Sequence, residues 1–183
     1  MAELSDYRLH PGDRAPDFDL PGTDGRTYRL KDFDATPYLV VTFWCNHCPY
    51  VQKWEGRAIA LQREFEPRGV RFVMINANDD QAYPDDRMER MVARAKEKGY
   101  PFPYLRDASQ KVARAYGALV TPHPMLFGPD RTLRFQGRID ADPDRPDGGG
   151  AHYLRDAIEA SLAGRPILKA ELPVLGCSVK WRA

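Results

Sequence analysis

Two cysteines separated by two residues are the feature of the sequence with the most specific chemistry. Cys45 and Cys48 follow the apolar run Tyr38–Phe43 and precede a segment whose apolar residues have helical spacing. Sulfurs at this spacing can reach bonding distance when they flank the first turn of a helix, where unpaired N–H groups and the helix dipole favour a thiolate. The pattern predicts a redox-active pair, with Cys45 as the exposed nucleophile and Cys48 as the more buried resolving thiol.

A metal site is the alternative interpretation of this cysteine pair. Two cysteines could form half of a tetrahedral zinc site, but the sequence places no second Cys-x-x-Cys or His pair to complete it. We therefore expect no metal, and no cofactor other than the redox-active disulfide. The third cysteine, Cys177, leaves two interpretations open: a tail residue packed under Trp181, or a third redox thiol.

Length, charge and the N-terminal residues limit the class of protein. At 183 residues the chain can bury a core of its own, so the cysteines are not needed to hold it together. The net charge is +1 and the basic and acidic residues are interleaved, so we expect neither nucleic acid nor a membrane as partner. Residues 1–6 are polar and lack the apolar core of a signal peptide, which predicts a cytoplasmic protein.

The segments around the cysteines read as a βαβ unit. Tyr38–Phe43 and residues 70–77 are continuous apolar runs rich in β-branched residues, typical of strands buried on both faces. Between them, Pro49–Phe65 has helical spacing, and Gly69 closes the segment. The two strands are therefore predicted to be parallel and joined by a right-handed connection.

Further elements complete one predicted domain over residues 1–183. The dipeptide Asp24-Gly25 predicts a two-residue hairpin turn in an N-terminal extension of about residues 1–33, and a second hairpin follows near residues 124–135. Three more helices are predicted, over residues 85–98, 109–116 and 152–162. The first should turn Met88, Met91, Val92 and Ala95 inward, and the second should have Ser109 as its N-cap. An extended tail begins at about residue 164.

The order of elements resembles the thioredoxin fold, an α/β fold with a central mixed sheet flanked by helices. Cys-x-x-Cys follows the first long buried strand, and Thr121-Pro122 precedes a hairpin. The opening GDRAPDFDLPGTDG resembles the start of the AhpC/TSA redoxins, the group that holds peroxiredoxins and ResA/TlpA-type thiol oxidoreductases. Six motifs in order resemble the peroxiredoxin-like branch: CNHCPYV, INAND, KGYPFPYLRD, AYGALVTPH, GRID and GCSVKW.

The resemblance implies particular neighbours for the cysteines. Pro122 should follow a cis peptide bond and pack against the disulfide, leaving the backbone of Thr121 free to pair with a docked substrate strand. Pro124 is the rival position, and Pro122 is favoured because the hairpin turn then falls at the usual distance. Trp44 is expected to serve as core and as a lid beside the disulfide.

Two departures from related patterns bear on the reaction. Peroxiredoxins carry Pro-x-x-x-Thr-x-x-Cys; here Thr42 stands three residues before Cys45, but Tyr38 occupies the proline position. Thioredoxins have a buried aspartate at the position of Leu39, so the group that accepts a proton from the resolving thiol stays open. His47 resembles the histidine that stabilises the thiolate of periplasmic disulfide oxidases, which implies an oxidising disulfide.

Strand order places more polar residues near the cysteines. Asn76, Asn78 and Asp79 follow a strand parallel to the one that ends near Cys45, so they should share its sheet edge. The same reasoning brings residues 137–140 there, and we expect Arg138 to favour a Cys45 thiolate. The alternative is a solvated loop in which Asp140 pairs with Arg138.

Together these observations predict a thiol–disulfide oxidoreductase that exchanges a Cys45–Cys48 disulfide with protein or low-molecular-weight thiols. A first alternative is a peroxidase of the AhpC/TSA type, with Cys45 attacking peroxide and Cys48 or Cys177 resolving. A second alternative is a thiol redox sensor without turnover, in which the pair switches binding of a partner. Turnover separates the enzymes from the sensor, and peroxide consumption separates the two enzymes.

Overall fold

The computed structural model describes residues 4–183 of the chain. Its strands are β1 (Asp19–Pro21), β2 (Thr27–Arg29), β3 (Tyr38–Phe43), β4 (Val70–Asn76), β5 (Tyr104–Arg106), β6 (Val120–Thr121), β7 (His123–Phe127), β8 (Leu133–Gln136) and β9 (Cys177–Ser178). Its α-helices are α1 (Pro49–Phe65), α2 (Met88–Lys98), α3 (Lys111–Tyr116) and α4 (Tyr153–Leu162). None of the helices in this described part is long and apolar enough to cross a membrane.

The central sheet has the strand order β5-β4-β3-β7-β8. Strands β3, β4 and β5 are parallel, and β7 and β8 join antiparallel, so the sheet is mixed as predicted. Successive residues of β3 enter different cores: Val40 packs with α1, α2 and α4, whereas Leu39 and Val41 pack with α3 and the N-terminal segment. Burial on both faces explains why β3 is a continuous apolar run rather than an alternating one.

Helix α1 has the predicted bounds because its start is encoded locally. Cys48 is the N-cap in an extended conformation, and Pro49 takes the first helical position, where its missing N–H costs nothing. The buried stripe recurs at three- and four-residue spacing: Val51, Trp54, Ala58, Leu61 and Phe65. Gly69, with a φ of +85°, ends the short 3-10 turn that follows the helix.

The N-terminal hairpin is confirmed, but its turn is longer than predicted. β1 and β2 pair antiparallel with Pro21 opposite Thr27, so residues 22–26 form the loop. Gly22 N–H donates to the Arg26 carbonyl at 2.7 Å, and Gly25 within the loop has a φ of +81°. The Asp-Gly signal therefore marks a positive-φ position inside a five-residue loop rather than a two-residue turn.

Two helix starts and one buried position were predicted wrongly. Residues 84–86 form a separate 3-10 turn, so α2 begins at Met88, and Val92 on α2 is 41% exposed rather than inward-facing. Helix α3 is preceded by Gln110 with a φ of +62°, not capped by Ser109 as N-cap. An acidic side chain overrides the local signal, because the Asp107 carboxylate accepts from the N–H of Ala113 at 2.8 Å.

The C-terminal tail does not extend away from the domain. Its strand β9 pairs antiparallel with β6, with Val120 opposite Ser178 and Thr121 opposite Cys177. Val179 is buried in the core on one face of the sheet. The tail therefore returns to the sheet edge that holds the cysteine pair.

Candidate active site

The Cys45–Cys48 segment lies between the C-terminal end of β3 and the first turn of α1. Both cysteines, which are free thiols in this structure, have no exposed surface. The prediction that Cys45 is exposed is therefore wrong. Trp44 and Thr42, expected to support the pair, are also buried, and the Trp44 indole N–H donates to the Tyr100 hydroxyl at 3.2 Å.

Thr121 contacts both sulfurs of the pair. The bond between Thr121 and Pro122 is cis, as predicted, whereas Pro124 lies within β7 opposite Thr42. The Thr121 hydroxyl oxygen is 3.2 Å from Cys45 Sγ, and the Thr121 carbonyl oxygen is 3.1 Å from Cys48 Sγ. Thr121 thus contacts both thiols and holds them near each other.

The two thiols titrate as a coupled pair. A hydrogen bond from Cys45 lowers the pKa of Cys48 to about 4, and Cys177 and the backbone N–H of Val51 act in the same direction. The Thr121 carbonyl opposes this, since it can accept only from a protonated Cys48. The pKa of Cys45 is raised by the same sulfur–sulfur hydrogen bond, by burial and by the Asp86 charge. The pair therefore loses its first proton readily and its second with difficulty.

Asp86 is the central acidic group of the site, and the sequence reasoning missed it. It is fully buried and accepts four hydrogen bonds at 2.5 to 3.0 Å. The donors are the Asn46 N–H, the Asn76 and Asn78 side-chain amides, and His47 Nδ1. Four donors satisfy an ionised carboxylate in a buried position, so Asp86 carries a stabilised negative charge beside the cysteine pair.

His47 links Asp86 to the Cys45–Cys48 segment. Its Nδ1 donates to Asp86 Oδ2 at 2.5 Å, and its ring stacks on Tyr83 with 5.2 Å between ring centroids. The ligand atoms of Cys45, His47 and Asp86 lie within 4.8 Å of one another. Cys45, His47 and Asp86 are all residue types that bind zinc. In this structure, however, His47 and Asp86 are hydrogen-bonded to each other.

Asn78 and Arg138 were both expected near the cysteines from the strand order, but only Asn78 contacts the network around them. Asn78 lies at the predicted edge and contacts Asp86 at 2.9 Å. The guanidinium of Arg138 instead lies over the Tyr153 ring, 5.6 Å from its centroid, and it is not among the main influences on the Cys45 pKa. The alternative pairing with Asp140 is wrong, because Asp140 accepts from the Trp54 indole at 2.7 Å and from Arg57.

Cys177 lies beside the pair rather than under Trp181. Trp181 is 39% exposed and stacks on Arg114, whereas Cys177 faces Thr121 across β9 and β6. Burial and Cys48 raise the pKa of Cys177 to about 11. The backbone of Thr121, expected to be free for a substrate strand, is therefore already paired with the chain's own tail.

A signal for Asp86 exists in the sequence. The strand-order argument brings residues 76–79 to the edge that holds Cys45, and the acidic residues Asp80, Asp85 and Asp86 follow within one loop. Nothing local distinguishes Asp86 from the exposed Asp85. Its burial depends on Asn46, Asn76 and Asn78 converging on it, which is a non-local property of the fold.

Comparisons with known proteins agree with this geometry. The model of the AhpC/TSA family matches residues 11–136. The selenocysteine-containing peroxiredoxin PrxU of Peptoclostridium acidaminophilum is 27% identical over 140 residues, which cover 73% of this chain and 63% of that protein. The thiol-disulfide oxidoreductase ResA of Halalkalibacterium halodurans is 27% identical over 116 residues, covering 63% and 61% of the two chains. The match spans less than two thirds of the length of these curated relatives.

Solved structures extend the likeness over nearly the whole chain. A hypothetical protein from Sinorhizobium meliloti 1021 superposes with a TM-score of 0.90 at 40% identity, covering 96% of each chain. An uncharacterized conserved protein from Geobacillus kaustophilus gives 0.88 at 40% identity, covering 95% of this chain and 93% of that one. The α/β thioredoxin-like fold is thus found in both.

Proposed function

The chain belongs to the AhpC/TSA family, and from this premise we propose that it is a thiol–disulfide oxidoreductase that cycles Cys45 and Cys48 between dithiol and disulfide. The observation that carries the proposal is the contact of both sulfurs with Thr121, at 3.2 and 3.1 Å, on the residue before cis-Pro122. Thr121 holds the two thiols together, which suits a disulfide that forms and breaks repeatedly. Thiol or disulfide substrates follow from this chemistry.

The exchange reaction balances within the pair and its substrate. Because the pKa of Cys45 is raised, its thiol first gives a proton to the Asp86–His47 pair. The thiolate formed attacks one sulfur of a substrate disulfide, and the other substrate sulfur leaves as a thiolate that takes up a proton. Cys48, deprotonated, then attacks Cys45 in the mixed disulfide, which forms the Cys45–Cys48 bond and releases the second substrate thiol. The reverse sequence reduces the pair and oxidises the substrate thiols.

Asp86 and His47 supply a route for the protons. Their ligand atoms lie within 4.8 Å of Cys45 Sγ, and Nδ1 of His47 is bound to the carboxylate. In this proposal the Asp86–His47 pair receives a proton when Cys45 becomes a thiolate and returns one when it is protonated again. The pair would serve the attacking thiol Cys45, whereas the aspartate at the position of Leu39 in thioredoxins serves the resolving thiol.

A thiol peroxidase is the second candidate, and one observation favours it. Both sulfurs lack exposed surface and the Thr121 edge is covered by β9, so a small oxidant reaches the pair more easily than an extended protein segment. Cys45 would attack peroxide, giving a sulfenic acid and water, and Cys48 would displace the second water to close the disulfide. Tyr38 at the proline position of the peroxidase motif argues against it.

A redox titration and a peroxide reaction together test these candidates. The protein is equilibrated in glutathione buffers of stepped potential, and Trp44 fluorescence reports the dithiol fraction, with Cys45→Ser as the variant that cannot form the pair. Reduced protein is then mixed with hydrogen peroxide in a stopped-flow instrument.

A reversible two-electron midpoint, slow reaction with peroxide and turnover of a small disulfide in a coupled assay support the exchanger. Fast second-order oxidation by peroxide that is lost in Cys45→Ser would replace it with the peroxidase. A reversible midpoint without turnover of either substrate would leave only the sensor.

A further inference from the structure

The C-terminal tail occupies the strand edge beside the cysteine pair. Thr121 of β6 lies opposite Cys177 of β9, and the residue before Cys177 is Gly176. A Cβ built on Gly176 would stand 2.3 Å from the Thr121 carbonyl oxygen. Only glycine allows the tail to approach Thr121 this closely, so the sequence of the tail fits this position.

Contacts on the C-terminal side of Cys177 hold the tail in place. The N–H of Lys180 donates to Asn78 Oδ1 at 2.9 Å, and its carbonyl accepts from the N–H of Asp79 at 2.8 Å. The N–H of Val179 donates to the Leu119 carbonyl at 3.1 Å. Asn78 also contacts Asp86, so the tail is tied to the network that surrounds the cysteine pair.

The third thiol therefore stands at a fixed position beside the second. Cys48 Sγ lies 3.1 Å from the Thr121 carbonyl, and Thr121 lies opposite Cys177, so both thiols flank the same residue. Each of the two also influences the pKa of the other. Of the three cysteines, Cys45 and Cys48 have no exposed surface, whereas Cys177 is partly exposed. The sulfur that an external thiol can reach is the one on the tail.

We propose that Cys177 is a third redox-active residue that exchanges with the Cys45–Cys48 disulfide to form a Cys48–Cys177 disulfide. The Cys177 thiolate attacks Cys48 Sγ, the bond between Cys48 and Cys45 breaks, and Cys45 leaves as a thiolate that takes the proton Cys177 gave up. No external oxidant is needed, because the step is an isomerisation of one disulfide. This inference rests on the proposed function, which supplies the Cys45–Cys48 disulfide.

This exchange explains how an external thiol can reduce a buried cysteine pair. An external thiol that attacks Cys177 in the Cys48–Cys177 disulfide forms a mixed disulfide with Cys177 and releases Cys48 as a thiol. A second external thiol then displaces Cys177 and leaves as the external disulfide, and neither thiol enters the buried site. Cys45, already freed in the exchange with Cys177, is ready to react with the next oxidant. The tail would then act as an internal substrate, paired with Thr121 in the way that a docked strand would be.

The test maps disulfides after oxidation by one equivalent of diamide. The protein is quenched in acid with N-ethylmaleimide, digested with pepsin at low pH to prevent exchange, and analysed by mass spectrometry for linked peptides. The wild-type chain should give both the Cys45–Cys48 and the Cys48–Cys177 linkages. Cys45→Ser should form the Cys48–Cys177 disulfide reversibly, and Cys48→Ser should link Cys45 to Cys177 about tenfold more slowly, because its sulfurs are less favourably placed.

A shifted thiol provides the matched control. The double variant Cys177→Ser, Ser178→Cys keeps one thiol on the tail but moves it to the opposite face of β9, since successive side chains of a strand alternate. Its linkage to Cys48 should form about tenfold more slowly than that of Cys177 in the wild-type chain. Circular dichroism of each variant shows whether the fold is kept.

Two outcomes separate the inference from the proposed function. If the oxidised wild-type chain contains only Cys45–Cys48 and Cys45→Ser keeps two free thiols, Cys177 is not redox-active, while turnover by Cys177→Ser would leave the proposed function intact. If Cys177→Ser forms no Cys45–Cys48 disulfide and does not turn over, the proposed function itself fails. Under the inference, Cys177→Ser forms the buried disulfide but is reduced by external glutathione about tenfold more slowly than the wild-type chain.

Discussion

The Nδ1 of His47 donates a hydrogen bond to the buried carboxylate of Asp86 at 2.5 Å, directly beside the cysteine pair. The Asp86 charge raises the pKa of Cys45. A hydrogen bond from His47 to that carboxylate weakens the effect of the charge on a nearby thiolate, so the two residues act in opposite directions. Substitution of each residue separately should therefore move the reactivity of Cys45 in opposite directions.

Replacing Asp86 by asparagine should make Cys45 more reactive and the fold less stable. Removal of the negative charge lowers the pKa of Cys45, so alkylation by iodoacetamide at neutral pH should accelerate. The new amide NH2 replaces one carboxylate oxygen. In place of Oδ2 it faces the Asn78 amide and His47 Nδ1, which both lose their acceptor, so urea unfolding should show a loss of about 3 kcal/mol.

Asp85 provides the control for this substitution. Its side chain is exposed, and only its backbone carbonyl contacts the site, through the Asn46 side chain. Asp85→Asn should therefore change stability by no more than about 0.5 kcal/mol and leave the alkylation rate unchanged. Slower alkylation in Asp86→Asn would contradict the electrostatic role given to Asp86.

Replacing His47 by glutamine should make the disulfide more reducing. Without His47 the Asp86 carboxylate loses one of its four hydrogen-bond donors and acts more strongly on the thiolate, so the reduced state is destabilised relative to the disulfide. The midpoint should become more negative by on the order of 30 mV, which corresponds to about 1.4 kcal/mol for a two-electron couple. Glutathione titrations of His47→Gln and of a distant surface variant, His152→Gln, give the comparison; a shift to more positive potential would refute the role.

The strand and the helix that flank the cysteine pair could be predicted, because the residues that determine them lie within these elements or at their ends. The continuous apolar run of β3 and the Pro49 that opens α1 fix the position of the Cys45–Cys48 segment without reference to the rest of the chain. The cis bond at Pro122, in contrast, was expected only from the family resemblance. The strand and the helix start required only the residues within these elements and at their ends.

The parts that escaped prediction depend on contacts between distant segments. Asp86 becomes buried because Asn46, Asn76 and Asn78 converge on it, and an acidic residue in a polar loop gives no sign of this. Cys177 reaches the site because the last residues of the chain pair with Thr121. The burial of Asp86 and the position of Cys177 both depend on residues far away in the sequence, so local sequence patterns do not predict them.

Replacing Thr121 by valine should make Cys45 less reactive. The Thr121 hydroxyl lies 3.2 Å from Cys45 Sγ and lowers its pKa, while valine keeps the shape without the hydroxyl. Loss of one such bond should slow alkylation of Cys45 at neutral pH about tenfold, equivalent to one pKa unit. The rate is measured against pH to separate a shifted pKa from blocked access.

Arg138 serves as the comparison for Thr121. The structure places its guanidinium over Tyr153, so Arg138→Ala should leave the pH profile of Cys45 alkylation unchanged. A profile displaced to higher pH in Arg138→Ala would restore the expectation that this charge favours the thiolate. An unchanged profile in both variants would instead remove the role of the Thr121 hydroxyl.

Protonation of His123 should destabilise the fold below neutral pH. This residue is fully buried on β7, where its Nδ1 accepts from the N–H of Leu119 at 3.4 Å, and burial lowers its pKa from 6.5 to about 4. The unfolded chain therefore binds a proton between about pH 6.5 and pH 4 that the folded chain does not, so stability falls as the pH decreases through that window. The contribution at pH 5 should be about 2 kcal/mol smaller than at pH 7.

Urea unfolding at pH 7 and pH 5 measures this effect as a difference between variants. His123→Asn keeps an acceptor near the position of Nδ1 but cannot be protonated, so its stability should fall less than that of the wild-type chain over the same interval. His152→Asn, which alters an exposed histidine, should follow the wild-type chain. Equal losses in wild type and His123→Asn would show that His123 does not carry the pH dependence. Such a result would mean that folded His123 titrates near its unfolded value despite having no exposed surface.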